Sequence, residues 1–274
     1  MHRRIRIGEL WVDGLSFAGA LDEIATLVER GEGGLVFTPN VDHVVAANRN
    51  VALRNAYSRA ALALADGAPI PWAARMLGTP LPAKVSGSDL IIPLARLAAE
   101  RGWRVYLIGG APGVAATAAE RMRRELGTNV VGVDAPRLSA DGQAEDEHEV
   151  LARIRTVNPH LLLAGFGSPK QELWLDRVRE RIGSTVGLAV GASIDFVAGA
   201  QRRAPRWVSR IGFEWLYRLA REPRRLWRRY LVDDPWFIAI VLRTSRIPRA
   251  ERTRAADATR AMAVTRGKGH TSDW

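Results

Sequence analysis

The side chains best suited to chemistry in this chain follow directly after short apolar runs. Asp66 comes after the run 62–65 and before a glycine, and an aspartate placed there inside a cleft could act as a general base. The pair Asp66-Gly67 is equally typical of an ordinary turn. Four further polar or glycine-rich segments follow apolar runs in the same way: Thr38-Pro39-Asn40, Gly109-Gly110, Gly165-Phe166-Gly167-Ser168 and Gly191-Ala192-Ser193. These segments are the candidate binding and catalytic loops.

The glycine-rich segment LIGGAPGVA could bind a phosphate. It follows a predicted strand and opens a predicted helix, so the amides of Gly109 and Gly110 could hold the anion. Asp134 ends the next predicted strand, where dinucleotide-binding folds place a ribose-binding acid. The G-x-G-x-x-G fingerprint, however, needs glycine where Ile108 stands. A structural turn is therefore an equally good interpretation. Bound NAD is not expected, which weakens the alternative of a nicotinamide-dependent oxidoreductase.

The segment GFGSPKQELWLDR also has two interpretations. Ser168 could cap a helix, with Pro169 in the first position and Gln171 completing a capping box. That interpretation needs no function. Lys170 in the first turn opposes the helix dipole, so an anion nearby would relieve a local conflict.

Another helix start follows Thr38-Pro39 in the segment TPNVDHVVAANRN. Asn40 or Asp42 could cap this helix. His43 is more typical of a packed or surface histidine than of an acid–base group. These polar residues therefore have a structural interpretation beside the binding one.

An arginine- and tryptophan-rich segment, residues 199–237, contrasts with these loops. Between Arg202 and Arg229 it holds ten arginines, no lysine and two acids, which is +8 of a whole-chain formal charge of +11. Guanidinium groups beside indole rings suit phosphate groups and membrane interfaces. Trp215, Leu216 and Leu219 share one helical face, which favours an anionic membrane surface as partner. A nucleic-acid-binding protein is the alternative. The predicted lipid- or phosphate-binding arginines are Arg203, Arg218, Arg221, Arg225 and Arg228, of which the last four recur at helical spacing.

The elements that must position these residues are alternating apolar strands and helices. Apolar strands followed by helices are typical of a parallel sheet covered on both faces. We therefore predict an α/β fold with a Rossmann-like, mostly parallel sheet and a small N-terminal hairpin joined at Gly8-Glu9. Ligands of such sheets bind at the carboxyl ends of the strands, where the candidate loops lie. The predicted strands are 35–38, 62–65, 105–109, 130–133, 161–166 and 186–190, and helices are predicted to begin near residues 18, 41, 69, 114 and 169.

The chain divides into three predicted parts. Residues 1–198 form the core, 199–248 a basic helical appendage that contacts the membrane and covers the active site, and 249–274 a flexible tail.

There is no cysteine, which excludes disulfides and thiolate metal sites. No signal peptide is visible, and the apolar run 236–242 is too short to span a bilayer. We therefore expect a cytosolic protein that touches a membrane without crossing it. Asp-x-Asp, G-x-S-x-G and Walker motifs are absent, which leaves metal-assisted phosphoryl chemistry and serine hydrolysis without support.

Five segments in order resemble one protein family. They are TPNVDH, ADGAPIPWAARMLG with LPAKVSGSDL, VYLIGGAPGVA, GFGSPKQELWLDR, and VGASIDFVAGAQRRAPRWVSRIGFEWLYRLAREPRRLWRRYL. From about Leu35 to Phe237 the chain resembles the bacterial WecG/TagA/CpsF glycosyltransferases. The resemblance implies transfer of a sugar from a UDP-sugar to an undecaprenyl-pyrophosphate-linked sugar at the inner face of the cytoplasmic membrane. It further implies inversion at the anomeric carbon, no metal and no other cofactor.

Donors in this family include N-acetylmannosamine, its uronic acid and glucose. The residues quoted above do not choose among these donors. They also leave the oligomeric state open, with a homo-oligomer among the options.

The resemblance also implies roles for individual residues. Asp66 of the ADG motif is the expected base. Lys84 stands where the family usually has arginine, and its ammonium can hold a phosphate as a point charge but cannot fork onto two oxygens. Part of the arginine-rich segment is expected to close over the pocket and, with Lys84, to stabilise the UDP leaving group. The other expected substrate-binding residues are Thr38, Asn40, Gln171 and Asp195.

Overall fold

The computed structural model describes residues 2–201, 214–221 and 223–256, and its centre is a six-stranded parallel sheet. The strands lie in the order β4-β3-β8-β7-β5-β6. This arrangement confirms the predicted α/β fold, and each predicted strand is present to within a few residues. The strands are β3 (Gly34–Phe37), β4 (Leu62–Ala63), β5 (Arg104–Gly109), β6 (Asn129–Asp134), β7 (Leu161–Gly165) and β8 (Val186–Ala189).

Helices cover both faces of this sheet. They are α1 (Phe17–Arg30), α2 (Val41–Arg49), α3 (Val51–Arg59), α4 (Pro69–Met76), α5 (Gly87–Glu100), α6 (Val114–Leu126), α7 (Glu147–Val157), α8 (Lys170–Val178) and α9 (Ser193–Ala198). One apolar cluster joins the sheet to α1, α5, α6 and α9, and the other joins it to α2, α3, α4, α7 and α8. In β7, Leu161 and Leu163 face the first cluster, whereas Leu162 and Ala164 face the second. Burial on both faces explains why the strands are continuously apolar.

The helix boundaries follow from local capping. Ser16 caps α1 by accepting from the amide of Gly19 at 3.1 Å, and Gly31 ends the helix with a φ of 64°. α6 spans the predicted residues and ends at Gly127 with a φ of 68°. Left-handed φ values suit glycine because it has no Cβ.

A second, antiparallel sheet lies beside the main one, in the order β2-β1-β9. β1 (Arg3–Ile7) and β2 (Leu10–Asp13) form the predicted N-terminal hairpin. β9 (Thr253–Ala255) pairs with β1 from the other side, and Arg249–Arg252 forms a 3-10 helix before it. The predicted flexible tail is therefore wrong for residues 249–255. A strand of three residues is too short to show an alternating pattern. Residues 257–274 lie outside the described residues.

The appendage is helical where it is described. It consists of α10 (Glu214–Arg221), α11 (Pro223–Arg228), a π-helical turn (Arg229–Asp233) and α12 (Trp236–Ser245). Phe237, Ile240 and Val241 of α12 are buried in the second apolar cluster, and Thr244 Oγ1 accepts from the amide of Gly8 at 3.0 Å. α12 is thus packed on the core. Across the described parts of the chain, every helix is too short or too polar to cross a bilayer.

Candidate active site

Hydrogen bonds tie together the loops at the carboxyl edge of the main sheet. The amide of Asp66, after β4, donates to Pro39 O, after β3, at 2.9 Å. The amide of Val85 donates to Ala65 O at 2.7 Å, which brings the Lys84 loop to the same place. The amide of Gly191, after β8, donates to Gln171 Oε1 at 3.2 Å. The structure therefore brings the loops of Asp66, Asn40, Lys84 and Gln171 to one edge.

Asp66 is half-buried and begins a turn in which Gly67 has a φ of 78°. The charge of its carboxylate raises the pKa of a buried residue, Tyr57 of α3. Burial raises the pKa of Tyr57 well above its ordinary value, and the charges of Glu172, Asp66 and Asp42 raise it further. Of the three carboxylates that raise this pKa, Asp66 is the one in a strand-end loop, where a substrate hydroxyl could reach it.

Asn40 caps α2, as one of the predicted alternatives held. Its Oδ1 accepts from the amide of His43 at 3.4 Å, and His43 Nδ1 accepts from the amide of Asn40 at 3.2 Å. His43 is buried, in agreement with the prediction of a packed histidine. Thr38 is half-buried beside the first turn of α5, where a Cβ on Gly87 would lie 3.5 Å from Thr38 Oγ1. Thr38 and Asn40 therefore lie on the same loop as Pro39, against the Asp66 turn.

The predicted capping box of Ser168 and Gln171 is wrong. α8 begins at Lys170 with Pro169 as its N-cap residue, and it has no side-chain cap. Ser168 consequently lies one residue too early, and its buried Oγ has no hydrogen-bond partner among the described residues. The Gln171 side chain instead turns inward, where it is 4% exposed and its Nε2 donates to Glu172 Oε1 at 2.8 Å. Lys170 Nζ donates to Leu138 O at 2.9 Å, so a carbonyl oxygen holds this ammonium.

Glu172 lies beside Gln171 and His43 at this edge, and the sequence analysis did not single it out. Its side chain is 1% exposed, and its Oε1 lies 3.3 Å from His43 Nε2. Glu172 and Asp176 are four residues apart on α8, a spacing that usually marks the solvated face of a helix. In this protein α8 is enclosed and both carboxylates are buried. No pattern in the sequence distinguishes that case from an exposed acidic face.

Lys84 supplies a cation at the Asp66 loop. Its Nζ lies 3.4 Å from Asp89 Oδ2, and Ser86 Oγ donates to the same oxygen at 2.6 Å. Asp89 was not predicted, although the first turn of a helix favours an acid. The side chain of Lys84 remains partly exposed, so its ammonium is positioned but accessible to an anion.

The glycine-rich turn at the end of β5 lets the backbones of two neighbouring strand ends approach closely. Gly109 has a φ of 110°, and a Cβ there would lie 2.5 Å from Gly165 O of the neighbouring strand. The amide of Gly110 donates to Gly165 O at 2.9 Å and is therefore already engaged. Asp134 accepts hydrogen bonds from Tyr106 and from Arg153, the latter at 2.8 and 3.1 Å. The Asp134 carboxylate, which a dinucleotide ribose would require, is therefore already hydrogen-bonded to protein side chains.

Asp195 lies in α9, after β8, and is half-buried. Its backbone oxygen accepts from the amides of Ala200 and Gln201, at 3.0 and 3.3 Å, where the chain leaves the core. This residue therefore connects the site edge to the start of the appendage.

The appendage presents arginines beside apolar side chains. Arg221 and Arg228 are exposed, the side chains of Arg218 and Arg225 are not described, and Arg203 lies outside the described residues. Apolar side chains that are about half exposed follow in the π-helical turn and α12: Leu231, Val232, Trp236, Ile238 and Leu242, with Trp227 just before them. A surface of this composition suits a lipid headgroup region.

The fold is α/β, and the candidate loops lie at the carboxyl edge of a parallel sheet, where enzymes of this architecture bind their ligands. A model of the WecG/TagA/CpsF glycosyl transferase family matches residues 5–251. The chain is also 30% identical, over 232 residues, to an N-acetylglucosaminyldiphosphoundecaprenol N-acetyl-β-D-mannosaminyltransferase from Bacillus spizizenii, covering 84% of this chain and 86% of the relative. The chain belongs to the WecG/TagA/CpsF family and is a glycosyltransferase, which confirms the resemblance found in its sequence.

Proposed function

We propose that this glycosyltransferase moves a sugar from a UDP-sugar to an undecaprenyl-pyrophosphate-linked acceptor in cell-surface polysaccharide synthesis. The transfer inverts the anomeric carbon and needs no metal. The name of the Bacillus spizizenii relative favours N-acetylmannosamine as the donor sugar and lipid-linked N-acetylglucosamine as the acceptor, ahead of N-acetylmannosaminuronic acid or glucose as donor sugars. The observation that carries the proposal is the half-buried Asp66, joined by backbone hydrogen bonds to the Asn40 loop and the Lys84 loop.

Asp66 acts as the base in this mechanism. Its carboxylate takes the proton of the acceptor hydroxyl while that oxygen attacks the anomeric carbon. The bond from that carbon to the UDP oxygen breaks on the opposite side, and negative charge develops on the diphosphate. Preorganised cations and amides stabilise such charge most effectively. Lys84 supplies one cation from the core, and arginines of the appendage supply others.

The appendage also holds the enzyme at the inner face of the cytoplasmic membrane. Its exposed Trp227, Trp236 and Ile238 enter the headgroup region, while Arg221 and Arg228 meet lipid phosphates. This placement brings the pocket to an acceptor whose polyprenyl chain stays in the bilayer.

Replacing the base tests the reaction. We expect Asp66→Asn to lower the rate of transfer by about 10²–10⁴-fold, since general-base catalysis contributes that much. The measurement uses the lipid-linked acceptor with UDP-N-acetylmannosamine, UDP-N-acetylmannosaminuronic acid and UDP-glucose. Binding of the UDP-sugar should change little. Asp134→Asn is the matched control, because Asp134 also ends a strand but is engaged by Tyr106 and Arg153. Near-normal turnover by Asp66→Asn would show that another group is the base.

Charge removal tests the membrane contact. Arg221→Gln/Arg228→Gln should weaken binding to anionic liposomes by about thirtyfold, at about 1 kcal/mol for each arginine near the surface. Arg96→Gln, an exposed arginine on α5, is the control and should bind as the unmodified protein does. A parallel sedimentation assay with duplex DNA at equal salt examines the nucleic-acid alternative. Preference for DNA over liposomes would overturn the proposed membrane contact.

A further inference from the structure

A chain of buried polar side chains joins three loops of the site edge. Gln171 Oε1 accepts from the amide of Gly191, and Gln171 Nε2 donates to Glu172 Oε1 at 2.8 Å. The same Glu172 oxygen lies 3.3 Å from His43 Nε2. His43 Nδ1 in turn accepts from the amide of Asn40 at 3.2 Å, and the His43 amide donates to Asn40 Oδ1 at 3.4 Å. Glu172 therefore connects Gln171 with Asn40, two residues assigned above to the substrate.

The burial of the Glu172 carboxylate is unfavourable for the stability of the fold. Its Oε2 is buried without a hydrogen-bond partner among the described residues, and within those residues His43 is the one ionisable group that pairs with it. A buried carboxylate satisfied on one oxygen is costly. Asp176, one turn later on α8, shows the stabilising arrangement, because Arg59 contacts both of its oxygens. Polar groups that violate the rules of burial concentrate at functional sites.

Gln171 needs an external group to set its orientation. The two ends of a primary amide have nearly the same shape, and only their hydrogen bonds distinguish them. The Gly191 amide accepts nothing and must face Oε1, whereas Glu172 donates nothing when ionised and must face Nε2. Glu172 and the Gly191 amide thus select the same one of the two orientations of the Gln171 amide, and through His43 Glu172 also limits the position of Asn40.

We propose that Glu172 is a positioning residue of the transfer reaction, which holds the Gln171 amide and, through His43, the Asn40 side chain in the geometry that binds the donor. Its effect on catalysis rests on the function proposed above. Its effect on the Gln171 amide does not, because that effect concerns the free protein.

The first test measures the Gln171 side chain directly. Its Nε2 protons give a pair of amide signals in an NMR correlation spectrum, assigned by their loss in Gln171→Ala. We expect Glu172→Leu to shift this pair and to speed its exchange with solvent at least tenfold, whereas Glu172→Gln keeps an acceptor oxygen and stays intermediate. Unchanged signals in both variants would overturn the proposal, whatever reaction the enzyme catalyses.

The second test is a double-mutant cycle on sugar transfer. Gln171→Ala and Glu172→Leu should each lower kcat by about a hundredfold, and Glu172→Gln by about tenfold. If Glu172 acts through Gln171, the double variant should be at most about threefold slower than Gln171→Ala. Independent roles would multiply to about 10⁴-fold and would overturn the proposal. Asp176→Asn is the matched control on the same helix, and its effect should simply multiply with that of Gln171→Ala.

The two tests separate the two ideas. If the unmodified protein transfers no sugar from any of the three donors, the proposed function fails, and the NMR measurement still decides whether Glu172 orients Gln171. If transfer occurs but substitution of Glu172 leaves the Gln171 signals unchanged, the proposed function stands and the positioning role fails. If Glu172→Leu does not fold, the Glu172→Gln variant decides both tests with its smaller expected effects.

Discussion

Two turns at the carboxyl edge look alike in sequence and differ in what they do. Residues 109–113 begin with the last residue of β5, and residues 165–168 begin with the last residue of β7; both segments are glycine-rich and both lead into a helix. In the first turn, Gly109 and Gly110 approach the backbone of Gly165. After the second turn, Gln171 and Glu172 point into the protein, where Gln171 accepts from the Gly191 amide and Glu172 contacts His43 of α2.

The difference shows which sequence signals carry chemistry. Glycine after a strand reports close backbone approach, which packing alone can require. A buried amide beside an incompletely paired carboxylate is costly and indicates a function. We therefore expect the first turn to be required mainly by the fold and the second to contribute to the site.

The largest effect should come from Gly109→Ala. A Cβ there would lie 2.5 Å from Gly165 O at a φ of 110°, which L side chains rarely adopt. Steric overlap and backbone strain together should lower the free energy of unfolding by about 3–4 kcal/mol in denaturant titrations. Gly102→Ala is the control, because Gly102 has a φ of 65° and nothing within 4 Å of its Cβ position. Equal losses in the two variants would contradict a packing role for Gly109.

Gln171→Ala should mainly affect the reaction. Loss of a preorganised amide lowers transfer by about a hundredfold, or about 2.7 kcal/mol in activation free energy, with a smaller effect on unfolding. Steady-state kinetics with the lipid-linked acceptor measure the change. Gln143→Ala, which removes an exposed glutamine side chain, should leave the rate unchanged. If Gln171→Ala transferred sugar at the normal rate, the second turn would also belong to the fold.

Asp134→Asn should affect stability and leave transfer intact. The substitution removes the charge that accepts from Tyr106 and Arg153, so unfolding should become easier by about 1–2 kcal/mol. UDP-sugar binding and turnover should remain normal, and NAD should not raise the melting temperature. Stabilisation by NAD would revive the dinucleotide interpretation of the first turn.

The smallest effect is expected for Ser168→Ala. A capping serine would contribute about 1 kcal/mol, but Ser168 Oγ is buried without a partner among the described residues. Its removal should change the free energy of unfolding by less than about 0.5 kcal/mol, in either direction. A loss of about 1 kcal/mol would restore the capping interpretation.

Much of the fold could be predicted, because its signals are local. Continuous apolar runs indicated each strand of the main sheet, and Gly31 marked the end of α1. α3, α5, α7 and α9 were not predicted, and of these α5 carries Pro93 in its interior. β9 was not predicted because its pairing with β1 joins residues about 250 positions apart and leaves no local pattern in the sequence.

The site was predictable in its loops and less so in its contacts. Asp66, Asn40 and Lys84 lie in connecting loops and Gln171 lies in the first turn of α8, and the structure gathers these residues at one edge. Glu172 was missed because burial of a helix on all sides depends on tertiary packing. Gln171 was given the wrong partner because the start of α8 differs by one residue from the predicted start.

The pairing of β9 with β1 has a consequence for how the appendage can be studied. β1 is the middle strand of the small sheet, and removal of residues after 252 would turn it into an edge strand. The backbone of Arg3–Ile5 would then form an unpaired edge, which is a template for association with other chains. A shortened protein could therefore precipitate for reasons unrelated to membranes or sugars. β9 covers this edge of β1, so an internal deletion that retains β9 is the cleaner way to remove the arginines.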